Sequence, residues 1–251
     1  MKRAFILGLG VDQTNYRSAV QGILDWALRG ESRYVCVANV HMVMEAYDDA
    51  AFRQIVNTAD LVTPDGMPLV WVMRLQGLRQ QERVYGPALT QFVLEAADRE
   101  GIPVGFYGST PQTLEKLKRN VQERYPSLKI AYLYAPPFRP LTPEEDEEVV
   151  RAINDSGTRI LFVGLGCPKQ ERWMAAHKGR VQAVMLGVGA AFDFLAGVKP
   201  QAPRWMQRAG LEWLFRLLTE PRRLWRRYLY HNPRFVLLVL LQLLGLRHYP
   251  E

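Results

Sequence analysis

The feature that most constrains this chain is a regular alternation of short, β-branched apolar runs with longer stretches of helical periodicity, sustained to about residue 200. Strands are expected near residues 4–9, 34–38, 61–63, 104–107, 130–134, 160–163 and 183–186, with helices between them. Parallel neighbours need crossovers long enough to hold a helix. The order therefore predicts an α/β chain: a Rossmann-like three-layer domain with a mostly parallel sheet. The clearest helix starts at Ser109 or Thr110 and runs to Tyr125, with Pro111 in its first turn and Leu114, Leu117 and Val121 on one face. Another opens at Thr142 and Pro143, with acids from Glu144 to Glu148 where the helix dipole favours negative charge.

With 251 residues, 48% of them apolar, the chain can bury a full core, which excludes a disordered polypeptide. Cys36 and Cys167 lack the C-x-x-C spacing of a zinc or redox site and read as reduced thiols. The first ten residues imitate a signal peptide, with Lys2 and Arg3 before an apolar run. The run is short, and Asp12 and Gln13 stand where a small-residue cleavage site is needed. The segment reads as the first strand of a cytoplasmic protein.

After Lys199 and Pro200 the alternation stops and an Arg/Trp/Leu-rich helical region begins, so we expect a core over 1–199 and an appendage over 200–251. Residues 204–234 hold eight arginines (Arg204, Arg208, Arg216, Arg222, Arg223, Arg226, Arg227 and Arg234) against Glu212 and Glu220, a local balance of +6 within a total of +7. The apolar run at 235–246 is twelve residues long, against roughly twenty for a spanning helix. Preceded by Trp205, Trp213, Trp225, Tyr228 and Tyr230, it suits the headgroup boundary of a membrane rather than its interior. A helix packed on the core, or on a second copy in a homo-oligomer, is the bland alternative. Nucleic acid is disfavoured as a partner, because it has no use for the apolar helix into which the arginines run.

Three glycine pairs follow expected strands: Gly8 and Gly10, Gly164 and Gly166, Gly187 and Gly189. None completes the G-x-G-x-x-G dinucleotide fingerprint, since Gln13, Lys169 and Phe192 occupy the third position. The first pair reads as a tight turn. The second is the better ligand loop, with Pro168 at a helix start beside Lys169 and Gln170. Asp65, in Thr63-Pro64-Asp65-Gly66, follows a strand, as do Asn39 and His41. Asp-Gly after Pro is first a turn, but strand carboxyl ends are where open α/β sheets bind ligands.

Three stretches, Ala38-Asn-Val-His-Met-Val-Met-Glu45 through Pro64-Asp-Gly66, Gly164-Leu-Gly-Cys-Pro-Lys-Gln-Glu171, and Gly187-Val-Gly-Ala-Ala-Phe-Asp193, closely resemble the WecG/TagA/CpsF glycosyltransferases, glycosyltransferase family 26. The likeness continues through Pro203-Arg-Trp-Met-Gln-Arg-Ala-Gly-Leu-Glu-Trp213 and Arg216-Leu-Leu-Thr-Glu-Pro-Arg-Arg223. It implies an inverting, metal-independent transferase without a cofactor. The implied donor is a UDP-sugar carrying N-acetylmannosamine, its uronate or glucose, and the implied acceptor is a polyprenyl-diphosphate-linked saccharide at the inner face of the cell membrane. By the same resemblance Asp65 matches the family's base. Arg83 and Gln170 match its nearby Arg and helix-start Gln, and its C-terminal arginines fall on Arg216, Arg223 and Arg226. Its appendage closes over the site and touches the membrane.

The residues agree with that chemistry. A carboxylate must take the acceptor's proton, and the departing diphosphate must be neutralised. No Asp-x-Asp metal pair occurs, and Asp48-Asp49 and the run from Glu144 to Glu148 read as solvated helix ends, whereas guanidinium forks bind phosphate directly. Arg223, Arg226 and Arg227 share about one helical face. One departure bears on the donor sugar: Val37 stands where teichoic-acid members carry Thr, with His41 a candidate to replace that hydroxyl. The competing reading is a module that binds a nucleotide sugar or anionic lipid without turnover, which retention of Asp65, Arg83 and Gln170 together disfavours.

Overall fold

The computed structural model describes residues 2–249, with the side chains of Arg204 and Arg227 outside the description. The chain opens not with one strand but with an antiparallel hairpin, β1 (Arg3–Ile6) and β2 (Leu9–Asp12). Leu7 and Gly8 both take positive φ, 53° and 86°, as a tight two-residue hairpin turn requires. Gly8 is a turn glycine, as its sequence context indicates.

After α1 (Tyr16–Leu28) come six strands, β3 (Arg33–Ala38), β4 (Leu61–Pro64), β5 (Val104–Gly108), β6 (Ile130–Tyr134), β7 (Ile160–Gly164) and β8 (Val184–Gly187). They form one sheet in the order β4-β3-β8-β7-β5-β6, every pair parallel. The crossovers hold α2 (Val40–Asp48) and α3 (Ala50–Asn57), α4 (Met67–Leu75) and α5 (Gly86–Glu100), α6 (Pro111–Arg124), α7 (Pro143–Asp155) and α8 (Lys169–His177). Thr110 caps α6, and Thr142 with Glu145 forms a capping box on α7.

Strand side chains alternate between two buried layers, as a period of two dictates. Cys36, Leu161, Val163 and Met185 pack with Met42, Phe52, Leu69 and Met174 on one face; Val35, Val37, Phe162 and Leu186 pack with Ile23, Val93, Leu117 and Phe192 on the other. Helices cover both faces, which is why the strands read as near-continuous apolar runs. The hairpin shields the edge strand β4: Asp12 accepts from the Val62 amide (2.7 Å) and is held by Arg3 (2.9 Å).

Beyond β8 lie α9 (Ala191–Leu195), α10 (Arg204–Arg208), α11 (Glu212–Thr219) and α12 (Pro221–Leu243). One face of α12 packs back on the body of the protein: Phe235, Leu238 and Val239 join the layer that holds Met42. Gln242 accepts from the Leu7 amide (3.0 Å) and donates to the Phe5 carbonyl (2.8 Å). The other face leaves Leu229, Val236, Leu237, Leu240 and Leu244 more than half exposed. Among the described residues no helix is long and apolar enough to cross a membrane.

Candidate active site

Parallel register sets the ends of β3 and β4 side by side, Ala38 opposite Pro64, and the Asp65 amide donates to the Ala38 carbonyl (2.8 Å). The chain leaves β3 into α2 on one face of the sheet and leaves the neighbouring β8 toward α9 on the other. Such a reversal opens a crevice at strand carboxyl ends. The strand stops at Ala38, so Asn39 and His41 are not strand residues. Asn39 is the N-cap of α2, accepting from the Met42 amide (3.2 Å), and His41 sits in the first turn of that helix.

Asp65 is partly buried, and its Oδ1 accepts the first amide of α5, that of Gly86 (2.7 Å). Gly86 packs closely on β3: a Cβ there would lie 3.1 Å from Val37 Cγ1, and in ordinary contact, 3.7 Å, with Asp65 Oδ1. Burial pushes the Asp65 carboxyl above its ordinary value, and the Glu212 carboxylate adds to this, while Arg83, the Gly86 amide and Arg216 pull the other way. A carboxylate poised in this way is a stronger base than a solvated one.

Arg83 joins the loop after β4 to the first turn of α11. Its Nε donates to the Asp65 backbone carbonyl, one Nη donates to Glu212 (2.7 Å), and the guanidinium lies over the Tyr85 ring at 4.3 Å. Burial, Glu212 and Asp65 together push the Tyr85 phenol up, so it stays protonated.

A pocket of about 450 Å³ opens on Asp65. Asn39, His41, Arg83, Glu212, Arg216 and His231 give it a polar lining; Trp71 and Leu75, farther along α4 from Asp65, and Val236, Leu240 and Leu243, farther along α12 from His231, give it an apolar one. Asn39, His41, Asp65, Arg83 and Arg216 are thus brought together.

Gly166, Gln170, Arg223 and Arg226 do not line this pocket. Gln170 is buried, accepting from the Gly166 amide (3.1 Å) and donating to Glu171 (2.8 Å). It sits beneath the Gly187 turn, where a Cβ would come within 3.0 Å of its Nε2 and 2.7 Å of Met174. Gly164 is as crowded, against Phe192 at 2.8 Å. These glycines therefore seat α8 and α9 on the sheet, and Gln170 braces their two turns. Arg223 pairs with Glu220 (2.7 Å), which also meets Lys199 (3.2 Å). Arg226 is exposed beside Trp225. The expectation that Arg227 shares their face lies outside the described side chains. Val37 belongs to the buried layer opposite α2, whereas His41 faces Glu45 and His231, so the two do not occupy equivalent places. Asp48 and Asp49, read as solvated, pair with Arg234 (2.6 Å) and Arg172 (2.6 Å).

Residues 4–249 match the family model described as the glycosyl transferase WecG/TagA/CpsF family. The chain belongs to that family. A WecG/TagA/CpsF relative from Bacillus spizizenii is 33% identical over 215 residues, covering 84% of this chain and 80% of its own. One from Staphylococcus aureus is 28% identical over 224 residues, covering 88% and 86%. Both bear the name N-acetylglucosaminyldiphosphoundecaprenol N-acetyl-beta-D-mannosaminyltransferase. As a member of the family the chain is a glycosyltransferase. Sequence reasoning missed Glu212 and His231 as parts of its pocket and Gly86 as the amide that holds Asp65, because each is marked only by what it meets across the fold.

Proposed function

We propose that this glycosyltransferase moves N-acetylmannosamine from its UDP donor to a polyprenyl-diphosphate-linked saccharide, in the synthesis of a cell-surface polymer. The observation that carries this reading is the two-ended pocket, polar around Asp65 and apolar between α4 and α12. An acceptor with a sugar at one end and a polyprenyl chain at the other fits that polarity. The names of both relatives favour N-acetylmannosamine over its uronate or glucose.

Asp65 takes the proton of the acceptor hydroxyl as its oxygen attacks the anomeric carbon. The bond from that carbon to the diphosphate breaks on the opposite face, so configuration inverts and UDP leaves. Arg216 lies nearest to receive the diphosphate charge, and Arg223 and Arg226 reach it by movement of the appendage. No step needs a metal, because guanidinium groups neutralise the leaving group. Asn39 and Arg83 shape the polar end, and Gln170 and Gly166 position the neighbouring turn. The exposed apolar face of α12, with exposed Arg222, Arg223 and Arg226, rests on the inner surface of the cell membrane, where an anionic headgroup layer meets both. The same attachment brings the appendage, residues 200–251, against the acceptor.

The deciding experiment measures UDP release from a panel of UDP-sugars, with EDTA present and a short-chain polyprenyl-diphosphate N-acetylglucosamine as acceptor. Acceptor-dependent release from UDP-N-acetylmannosamine is expected. Release from another donor alone corrects the sugar, and release only on restoring Mg²⁺ or Mn²⁺ overturns the metal-independent route.

A further inference from the structure

The contact between α2 and α12 assembles three metal-ligating side chains. His41, Glu45 and His231 offer ligand atoms that all lie within 4.8 Å of one another. His41 and Glu45 stand four residues apart and so share a helical face. His41 Nδ1 is 3.7 Å from Glu45 Oε1, His231 Nε2 is 4.0 Å from that same oxygen, and the imidazole rings meet edge to face with centroids 5.5 Å apart.

Those separations are close to what a tetrahedral ion needs. Zinc bonds of about 2.0–2.2 Å place neighbouring ligand atoms roughly 3.3–3.5 Å apart, so the two edges to Glu45 must close by about half an ångström and the edge between the imidazoles, which is within 4.8 Å, by up to about 1.4 Å, a movement that side-chain rotation supplies. The frame around the cluster is fixed. Arg234, three residues beyond His231, pairs with Asp48 of α2, and Phe235 is buried against the same helix. The side chains of His41 and His231 are 15% and 14% exposed, so the ligands are neither freely solvated nor sealed off. Both histidines line the pocket and Glu45 does not, so the cluster sits at the pocket's wall.

We propose that His41, Glu45 and His231 form a divalent transition-metal site, taking Zn²⁺, that staples the appendage to the body at the wall of the pocket. Two imidazoles and one carboxylate suit zinc and its first-row neighbours; Mg²⁺ and Ca²⁺ prefer oxygen ligands. The ion clamps α12 to α2 and takes no part in bond making. The proposal therefore stands apart from the proposed sugar transfer, and its test reads metal binding rather than turnover.

Full-length protein, stripped with a chelator and desalted, is titrated with Zn²⁺ in competition with a chromophoric chelator. Its thermal unfolding is followed with and without the ion. One equivalent of Zn²⁺ is expected, insensitive to excess Mg²⁺ and accompanied by a higher unfolding temperature, because a ligand of the native state stabilises it by mass action. Losing even an outer-shell partner weakens metal sites by 10–100-fold, so His231→Gln and Glu45→Gln should each weaken binding by more than about tenfold. His248→Gln and Cys167→Ser, which remove donors outside the cluster, should keep the equivalent. Circular dichroism checks the fold of each variant, and Glu45→Gln, at a partly exposed carboxylate, serves if His231→Gln loses helix. No bound equivalent in the wild-type protein, or one that survives both Glu45→Gln and His231→Gln, overturns the site.

Discussion

Arg83 and Glu212 meet at 2.7 Å, each side chain less than a sixth exposed, while the same guanidinium holds the backbone carbonyl of Asp65. One cation thereby fixes both the loop that carries the carboxylate and the first turn of α11. Removing one partner of such a pair strands the other charge in a poorly solvated place. Glu212→Ala should lower stability by about 3 kcal/mol, measured by urea unfolding. The paired replacement Arg83→Met with Glu212→Leu should recover much of that stability without recovering turnover. Equal loss of stability in the single and the paired variant would show that the contact does not couple the two segments.

Asp65→Asn should reduce turnover by about 10²-fold or more while donor binding is kept, the size expected for a general base. It should also raise the unfolding temperature near neutral pH. The Asp65 carboxyl titrates above its ordinary value because burial disfavours its charge. The native state therefore binds the proton more tightly than the unfolded chain, a stabilisation present at low pH and lost as pH rises through the folded value. A neutral isostere removes that loss. Differential scanning calorimetry at neutral pH checks it; an unchanged or lower unfolding temperature counts against a desolvated carboxylate.

The sign for activity is the reverse. Only the ionised carboxylate accepts a proton, so kcat/KM should fall as pH drops through a value above that of an ordinary aspartate, with activity retained above it. A pH profile with an acid limb at or below the ordinary aspartate value would remove Asp65 as the base.

Membrane contact through α12 should depend on charge and on salt. Replacing exposed Arg222 and Arg226 together by alanine should weaken binding to anionic vesicles by about 2 kcal/mol, roughly thirtyfold, at about 1 kcal/mol per basic residue. Sedimentation with phosphatidylglycerol vesicles measures it, with neutral vesicles as control. Undiminished binding would assign attachment to the apolar face alone.

Deleting residues 200–251 should abolish turnover, because Glu212, Arg216 and the α12 wall of the pocket go with them. It should also bare the layer around Met42 that Phe235, Leu238 and Val239 cover. We expect retained secondary structure by circular dichroism with self-association on size exclusion. A monomeric, active fragment would show that the appendage neither completes the pocket nor covers the core.

Much of this protein is determined locally and is legible in its sequence. Each of the six strands of the parallel sheet shows as a short apolar run, and in all but the half-exposed edge strand β6 this is because burial on both faces leaves no polar alternation to confuse with a surface helix. The caps at Thr110 and Thr142 are local hydrogen bonds between near neighbours, and Asp65 is marked by its place after a strand. Local signals also misled. The run at 4–9 reads as one strand because the positive φ of Leu7 is set by the hairpin's own closure, not by a glycine at that position. Gln170 is marked in the sequence by its place at a helix start, but that the turns of Gly166 and Gly187 bury it is shown only by the packing of β7, β8 and α8. Tertiary structure alone decided that Arg83 reaches Glu212, that Gly86 caps the Asp65 carboxylate, and that His41 and Glu45 face His231. These partners meet because parallel crossovers gather distant segments at one edge of the sheet and because α12 folds back on α2, separations over which sequence periodicity carries no information.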